Sequence, residues 1–180
     1  YNISFKKLVK SNNINYKRGF LMKVAVIYAS TTGNTEAMAN AINEACMSSG
    51  ADVVFGTADS AGIAAVTGCD VILLGSPAMG DEVLEDTMEE FYSGIEGLLH
   101  GKKVGIFGSY DWGDGQWLRD WNDRLNNAGA VSAAEALMVH LTPEEAELIP
   151  GDKLVMNTCY GASGRKGIAL YDPYRRTSVC

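Results

Sequence analysis

The stretch from Met22 to Glu36 puts the strongest constraint on what this chain can fold into. Val24-Ala25-Val26-Ile27-Tyr28-Ala29 is a continuous apolar run, the pattern of a strand buried on both faces. In Ser30-Thr31-Thr32-Gly33-Asn34-Thr35, hydroxyls, an amide and a glycine replace carbon. From Thr35 onward, Met38, Ala39, Ile42, Ala45 and Cys46 recur at helical spacing. The pattern predicts a strand, a hydroxyl-rich loop and a helix.

The chemistry of that loop follows from its position. The first turn of a helix leaves backbone N–H groups without partners, and the helix dipole favours an anion there. Gly33 permits a tight turn and close approach of a ligand to the backbone. Ser30, Thr31, Thr32 and Thr35 add hydroxyl donors, and Asn34 adds an amide. The set suits a phosphate monoester at a helix N-terminus. The loop holds no lysine or arginine, and the lysine-bearing triphosphate loop is absent. A neutral cradle fits one terminal phosphate better than a triphosphate with magnesium. The alternative reading is an ordinary helix cap by Thr or Asn.

At 180 residues, with 47% apolar and 21% charged residues, the chain supports one soluble globular domain with a sizeable core. Cys46, Cys69, Cys159 and Cys180 form no CxxC pair, so neither a disulfide framework nor a zinc site is indicated. His100 and His140 each stand alone and read as ordinary surface or boundary residues. No apolar run reaches membrane-spanning length. The expectation is a cytoplasmic protein that does not engage a membrane.

The formal charge of −7 is unevenly spread. Residues 22–150 hold 5 basic and 20 acidic residues, whereas residues 1–21 hold 5 basic and none acidic. Residues 151–180 hold 5 basic and 2 acidic. The acidic middle argues against nucleic acid and for basic protein partners found by electrostatic steering. Residues 1–21, rich in Asn and Lys without a sustained period, read as a flexible extension; a targeting or partner-binding arm is the alternative.

After the first helix, Ala51–Phe55 reads as a second strand. A small-residue connection follows from Gly56 to Thr67, with a short helix starting near Asp59-Ser60-Ala61. Val71–Gly75 is a third buried strand, and Ser76–Glu82 a loop before a helix carrying Val83, Leu84, Met88, Phe91 and Ile95. Lys102–Phe107 is a fourth strand, followed by the loop Gly108–Gly115 and a helix from about Gln116 to Asn127. A fifth strand is expected near Ala136–Val139. Strands alternating with helices imply a doubly wound parallel sheet. Ligands in such a sheet sit beyond the carboxyl ends of the strands. Loops 30–35, 76–82 and 108–115 meet that condition.

Those loops carry a resemblance. Val26-Ile-Tyr-Ala-Ser-Thr-Thr-Gly-Asn-Thr35, Ala78-Met-Gly-Asp-Glu-Val-Leu-Glu85 and Gly108-Ser-Tyr-Asp-Trp-Gly-Asp-Gly115 resemble the short-chain flavodoxins, most closely the clostridial type. Lys102–Phe107 and Pro143–Glu147 fit as well, so the similarity spans roughly Met22 to Leu148. It implies a flavodoxin-like α/β fold with a five-stranded parallel sheet in the order 2-1-3-4-5. It also implies a low-potential one-electron carrier with non-covalently bound FMN and no catalytic residues. The domain would span 22–148, with the extension 1–21 before it and an atypical tail, 149–180, after it.

The resemblance also distributes roles. Ser30, Thr32, Gly33, Asn34 and Thr35 would hold the FMN phosphate, and Thr31 would be among the cofactor-binding residues. Pro77, Ala78, Met79, Gly80, Asp81 and Glu82 would meet the isoalloxazine from one side. Met79 would lie on the ring's inner face, and Glu82 would bond its pyrimidine edge. Gly80 would belong to a peptide that flips on one-electron reduction. Ser109, Tyr110, Asp111, Trp112, Gly113 and Asp114 would form the other side, with Trp112 stacked on the outer face. Trp112 has little prospect of being core, because Gly113 and Gly115 follow it closely. Trp117 and Trp121, four apart on a helix, read as core, and Glu85, Asp86, Glu89 and Glu90 as a solvated helix face.

Some residues depart from the family pattern. Pro77 removes a backbone donor from the second loop, and Asp111 adds charge beside Trp112. Ile149-Pro150-Gly151 interrupts the last helix, expected from Pro143-Glu144-Glu145, and a proline inside a helix costs ~3 kcal/mol. An exposed apolar face and lower stability are expected from that ending. Stacking by Met79 and Trp112, with acidic surroundings, would favour neutral over anionic flavin. The expectation is a stabilised neutral semiquinone and a strongly reducing lower couple, cycling against a basic-rimmed reductase or iron–sulfur protein, the carrier itself being a monomer. Two alternatives stay open on the residues alone: an FMN-dependent reductase acting on a small substrate such as a quinone, and a binding domain without cofactor.

Overall fold

In the computed structural model of the protein, residues 22–143 are described. The elements run β1 (Lys23–Tyr28), α1 (Asn34–Ser48), β2 (Asp52–Thr57), α2 (Ile63–Thr67), β3 (Val71–Gly75), α3 (Asp86–Ile95), β4 (Lys103–Tyr110), α4 (Gln116–Asn127), β5 (Val131–Ser132) and β6 (Leu137–His140). The extension at 1–21, the last helix from Pro143-Glu144-Glu145 and the tail at 149–180 were expectations that lie outside the described residues.

All strand pairs are parallel, in the order β2-β1-β3-β4-β5, with β6 also on β4. The expected order therefore holds, but the fifth place is shared. β5 pairs with Lys103 and Val104 at the start of β4, and β6 pairs with Phe107 to Tyr110 at its end. Between them the chain leaves the ladder, and the Ser132 hydroxyl donates to the Ala134 carbonyl at 2.9 Å.

Strand alternation sorts the core into two layers. Ala25 and Ile27 of β1 face one side with Ile72, Leu74, Met88, Phe91, Trp117 and Trp121. Val24 and Val26 face the other with Met38, Ile42, Cys46, Leu73 and Phe107. A strand buried on both sides has no polar face, which is why Val24–Ala29 is apolar without interruption. Trp117 and Trp121 are both buried, as their spacing predicts, and Trp121 meets Tyr92 edge-on with centroids 5.7 Å apart.

Several boundaries move. β2 runs to Thr57, and the short helix starts at Ile63 rather than near Asp59, because Asp59-Ser60 form a turn closed by Ser60 and Ala61 N–H groups on the Thr57 carbonyl. β4 continues through Gly108, Ser109 and Tyr110, which the sequence places in a loop; β6 supplies the neighbouring strand that keeps them extended. The helix after the second loop begins only at Asp86, so Val83 and Leu84 precede it. Its start is set by Glu85, whose carboxylate accepts the Thr87 and Met88 amides at 2.9 and 3.2 Å. Glu89 pairs with Arg124 of α4 at 2.6 Å. Two of the four acidic residues expected to form a solvated face thus have structural partners.

Candidate functional site

α1 starts directly behind the hydroxyl loop. Its cap position is Gly33, at φ 90°, which has no side chain of its own to cap the helix. An ordinary Thr or Asn cap is therefore not what the loop forms. Ser30 instead folds across the turn, and its Oγ accepts the Gly33 and Glu36 amides at 3.1 and 3.3 Å. The amides of Asn34 and Thr35 have no acceptor among the described residues. A Cβ built on Gly33 would meet nothing within 4 Å. Two unpaired first-turn amides, an open space over a glycine and exposed Thr31 and Thr32 hydroxyls fit a phosphate monoester. Nearby, burial pushes the Tyr28 phenol pKa up, and the Glu36 carboxylate beside it acts in the same direction.

The second loop is a small hairpin. Met79 and Val83 exchange both backbone hydrogen bonds at 2.9 Å, leaving Gly80, Asp81 and Glu82 as the turn. Gly80 takes φ 45° and Glu82 φ 55°, a left-handed conformation that non-glycine residues seldom adopt. Gly80 and Asp81 are exposed, Ala78 and Met79 half-buried, and Pro77 is buried beneath them. Ser76 is the floor of this loop: its Oγ accepts the Glu85 amide at 3.0 Å, and its carbonyl accepts Trp117 Nε1–H at 3.3 Å.

The third loop projects from β4. Trp112 is 58% exposed, with Asp111, Gly113 and Asp114 exposed around it. Ser109 is buried, and Tyr110 packs against Trp117 and His140 with centroid distances of 5.7 and 5.2 Å. Arg119 forms an ion pair with the Asp114 carboxylate and donates to the Asp114 carbonyl at 2.8 Å.

The three loops are stitched together. Thr35 Oγ1 and Ser109 Oγ lie 3.1 Å apart, joining the first loop to β4. The Ala78 amide donates to the Ser109 carbonyl at 2.9 Å, joining the second to the same residue. Glu82 Oε1 accepts the amides of Asp114, Gly115 and Gln116 at 3.2, 2.8 and 2.8 Å. One carboxylate thus occupies the start of α4, where the dipole favours it. All eighteen residues singled out in the sequence belong to this cluster, but not at one depth. Thr31, Thr32, Gly80, Asp81, Asp111, Trp112, Gly113 and Asp114 are exposed, whereas Thr35, Pro77 and Ser109 are buried.

Sequence reasoning missed three contributors. Ser76 and Gly108 support the loops from below, and a Cβ on Gly108 would lie 1.9 Å from the Ser76 carbonyl oxygen. His140, read as an ordinary boundary residue, places Nε2 2.9 Å from the Asp111 carbonyl oxygen. Ser76 and Gly108 fall within loops 76–82 and 108–115, but no local pattern marks their supporting role or that of His140, because each acts through a segment distant in sequence. Among the described residues, no helix is long and apolar enough to cross a membrane.

A family model for flavodoxins matches residues 26–150. The flavodoxin of Megasphaera elsdenii is 46% identical over 124 residues, which span 68% of this chain and 90% of that protein. The flavodoxin of Clostridium beijerinckii is 44% identical over 123 residues, 68% of this chain and 89% of that protein. The solution structure of two-electron reduced Megasphaera elsdenii flavodoxin matches with a TM-score of 0.66 at 44% identity, covering 73% of this chain and 98% of that one. The crystal structure of oxidised flavodoxin 1 from Bacillus cereus matches with a TM-score of 0.70 at 29% identity, covering 78% and 99%. The sheet order 2-1-3-4-5, with three loops tied together at the carboxyl ends of its strands, accompanies these matches. The chain therefore belongs to the flavodoxin family, in its short-chain clostridial type, as an FMN-binding electron-transfer protein and not an enzyme.

Proposed function

We propose that this chain shuttles single electrons at low potential between redox proteins, with FMN held jointly by loops 30–35, 76–82 and 109–114. The observation that best supports this reading is the stitching of those loops through Thr35, Ser109 and Glu82. Ser30, Thr31, Thr32, Gly33, Asn34 and Thr35 receive the phosphate on amides and hydroxyls. Either hydroxyl of the Thr35–Ser109 pair can donate to the other, and with a phosphate on the loop Ser109 donating to Thr35 would leave the Thr35 proton for it. Met79 and Trp112 take the two ring faces and exclude water from them. Glu82 meets the pyrimidine edge while it keeps the α4 amides. The remaining proposed contacts are Pro77, Ala78, Gly80, Asp81, Ser109, Tyr110, Asp111, Gly113 and Asp114.

FMN supplies reversible one- and two-electron chemistry. The protein's part is to weight its charge states. Asp81, Asp111 and Asp114 are exposed at the rim, and Arg119 offsets part of Asp114. One carboxylate ~10 Å from a negative ring costs roughly 0.4 kcal/mol at water-like dielectric. Several together, even screened, lower the second-electron potential. Gly80, in a two-hydrogen-bonded hairpin tip with φ 45°, would hold a peptide able to turn and offer its carbonyl to bound FMN, which supplies the electron chemistry. The partners are basic-rimmed reductases or iron–sulfur proteins, met by a monomer in the cytoplasm. The cofactor domain is residues 22–148, with 1–21 and 149–180 outside it.

Stepwise reduction of the FMN-loaded protein tests this. The reading expects a blue, neutral one-electron form in the parent and less of it in Gly80→Val. An equal yield in both would overturn the role of Gly80, and none in either would overturn the one-electron assignment.

A further inference from the structure

We propose that His140 is a positioning residue for the cofactor, holding the peptide between Asp111 and Trp112 so that the indole meets the flavin ring at a fixed angle. The inference rests on the proposed seat of FMN against Trp112. β6 runs beside the end of β4, with His140 in register with Tyr110. The chain then turns sharply: Leu141 takes φ 58°, and its amide donates to the Tyr110 carbonyl at 2.7 Å. That turn keeps the end of β6 beside Tyr110, where the His140 ring lies against the Tyr110 ring at 5.2 Å and 51°. From there Nε2 reaches the Asp111 carbonyl at 2.9 Å.

A carbonyl only accepts, so Nε2 carries the proton. The far side of the same loop is held by Glu82 through the amides of Asp114, Gly115 and Gln116. Trp112 and Gly113 are thus suspended between a donor from β6 and an acceptor from the second loop. An exposed indole on a glycine-rich turn has many orientations, and binding a ring to it pays for fixing one of them. His140 fixes the peptide before the indole ahead of binding. Removing that donor leaves the bonds of Tyr110 to Leu141 and of Asp114 to Glu82 and Arg119, none of which reaches the peptide before the indole, and lets Trp112 swing.

The test uses the full chain with His140→Leu, His140→Gln, Trp112→Ala and the double variant His140→Leu/Trp112→Ala. The FMN dissociation constant is read from quenching of flavin fluorescence, and FMN-free melting is recorded alongside. His140→Leu is expected to bind about fivefold more weakly, the scale of one lost hydrogen bond. His140→Gln, which keeps an N–H donor, stays within about twofold of the parent. In the Trp112→Ala background, His140→Leu costs less than about twofold, because the group it positions is gone. An unchanged constant in His140→Leu overturns the proposal, as does an equal loss with and without Trp112. Should His140→Leu not fold, 15N shifts of the unaltered, FMN-free protein decide: an Nε2–H imidazole supports the proposal, and an Nδ1–H tautomer overturns it. A parent that fails to quench FMN at all refutes the cofactor seat itself, which the tautomer measurement does not touch.

Discussion

Thr35 Oγ1 and Ser109 Oγ lie 3.1 Å apart in a buried contact that spans 74 positions of sequence. The first residue lies in the first turn of α1, behind loop 30–35, and the second near the end of β4, below loops 76–82 and 109–114. Each hydroxyl is the other's buried partner, so their values are not independent.

Thr35→Val removes one hydroxyl at nearly constant shape and strands the other. The FMN-free protein should lose about 1–3 kcal/mol, the cost of an unsatisfied buried polar group. Thr35→Val/Ser109→Ala should recover most of that stability without recovering FMN affinity. Urea melts and flavin titrations separate the two effects, and equal stability of single and double variants would contradict the coupling.

Glu82 supports α4 whether or not cofactor is present. Glu82→Ala leaves the Asp114, Gly115 and Gln116 amides without their acceptor, and should cost the FMN-free protein about 1–2 kcal/mol. Glu82→Gln keeps an oxygen there but no charge, and should fall between. A melting midpoint unchanged in Glu82→Ala would refute the capping role.

Two glycines separate space from conformation. At Gly108 a Cβ would sit 1.9 Å from the Ser76 carbonyl oxygen, which is backbone and cannot step aside. Gly108→Ala should cost about 3 kcal/mol or more. Gly33 has room for a Cβ but stands at φ 90°, so Gly33→Ala should cost only about 1–2 kcal/mol. Denaturant midpoints that rank them in the opposite order would contradict the geometry.

Arg124 holds the Glu89 carboxyl below its ordinary pKa of 4.5, chiefly by hydrogen bonding, with Ser93 assisting. A carboxyl depressed in the folded state contributes stability above its unfolded pKa and loses it as pH falls through the folded one. The pair is partly exposed, so after solvent screening the contribution is at most about 1 kcal/mol. Glu89→Gln should therefore be less stable than the parent at neutral pH, and the gap should close as the solution is made more acid than pH 4.5. A gap that stays constant down the acid limb would assign the difference to something other than this ionisation.

The sequence was most legible where one segment decides its own environment. Val24–Ala29 is apolar throughout because both its faces are covered, and α4 runs from Gln116 to Asn127 as its spacing predicts. Trp117 and Trp121 are core for the same reason. Legibility failed where a distant strand or helix sets the outcome. Gly108–Tyr110 look like loop residues, yet β6 holds them extended. Glu85 and Glu89 look solvated, yet one caps α3 and the other pairs across to α4. The three loops of the candidate site were legible as stretches rich in hydroxyls, glycines and a tryptophan at the strand ends. Its stitching was not, because Thr35–Ser109, Glu82–Gly115 and His140–Asp111 each join positions far apart in the chain.

Titration of FMN with the purified 180-residue chain, followed by flavin fluorescence, tests the central claim most directly. Three loops that jointly seat the phosphate and both ring faces predict stoichiometric quenching at one FMN per chain with submicromolar affinity, and much weaker quenching for Trp112→Ala. Flavin that stays fully fluorescent in excess protein, or quenching that Trp112→Ala leaves untouched, would contradict it.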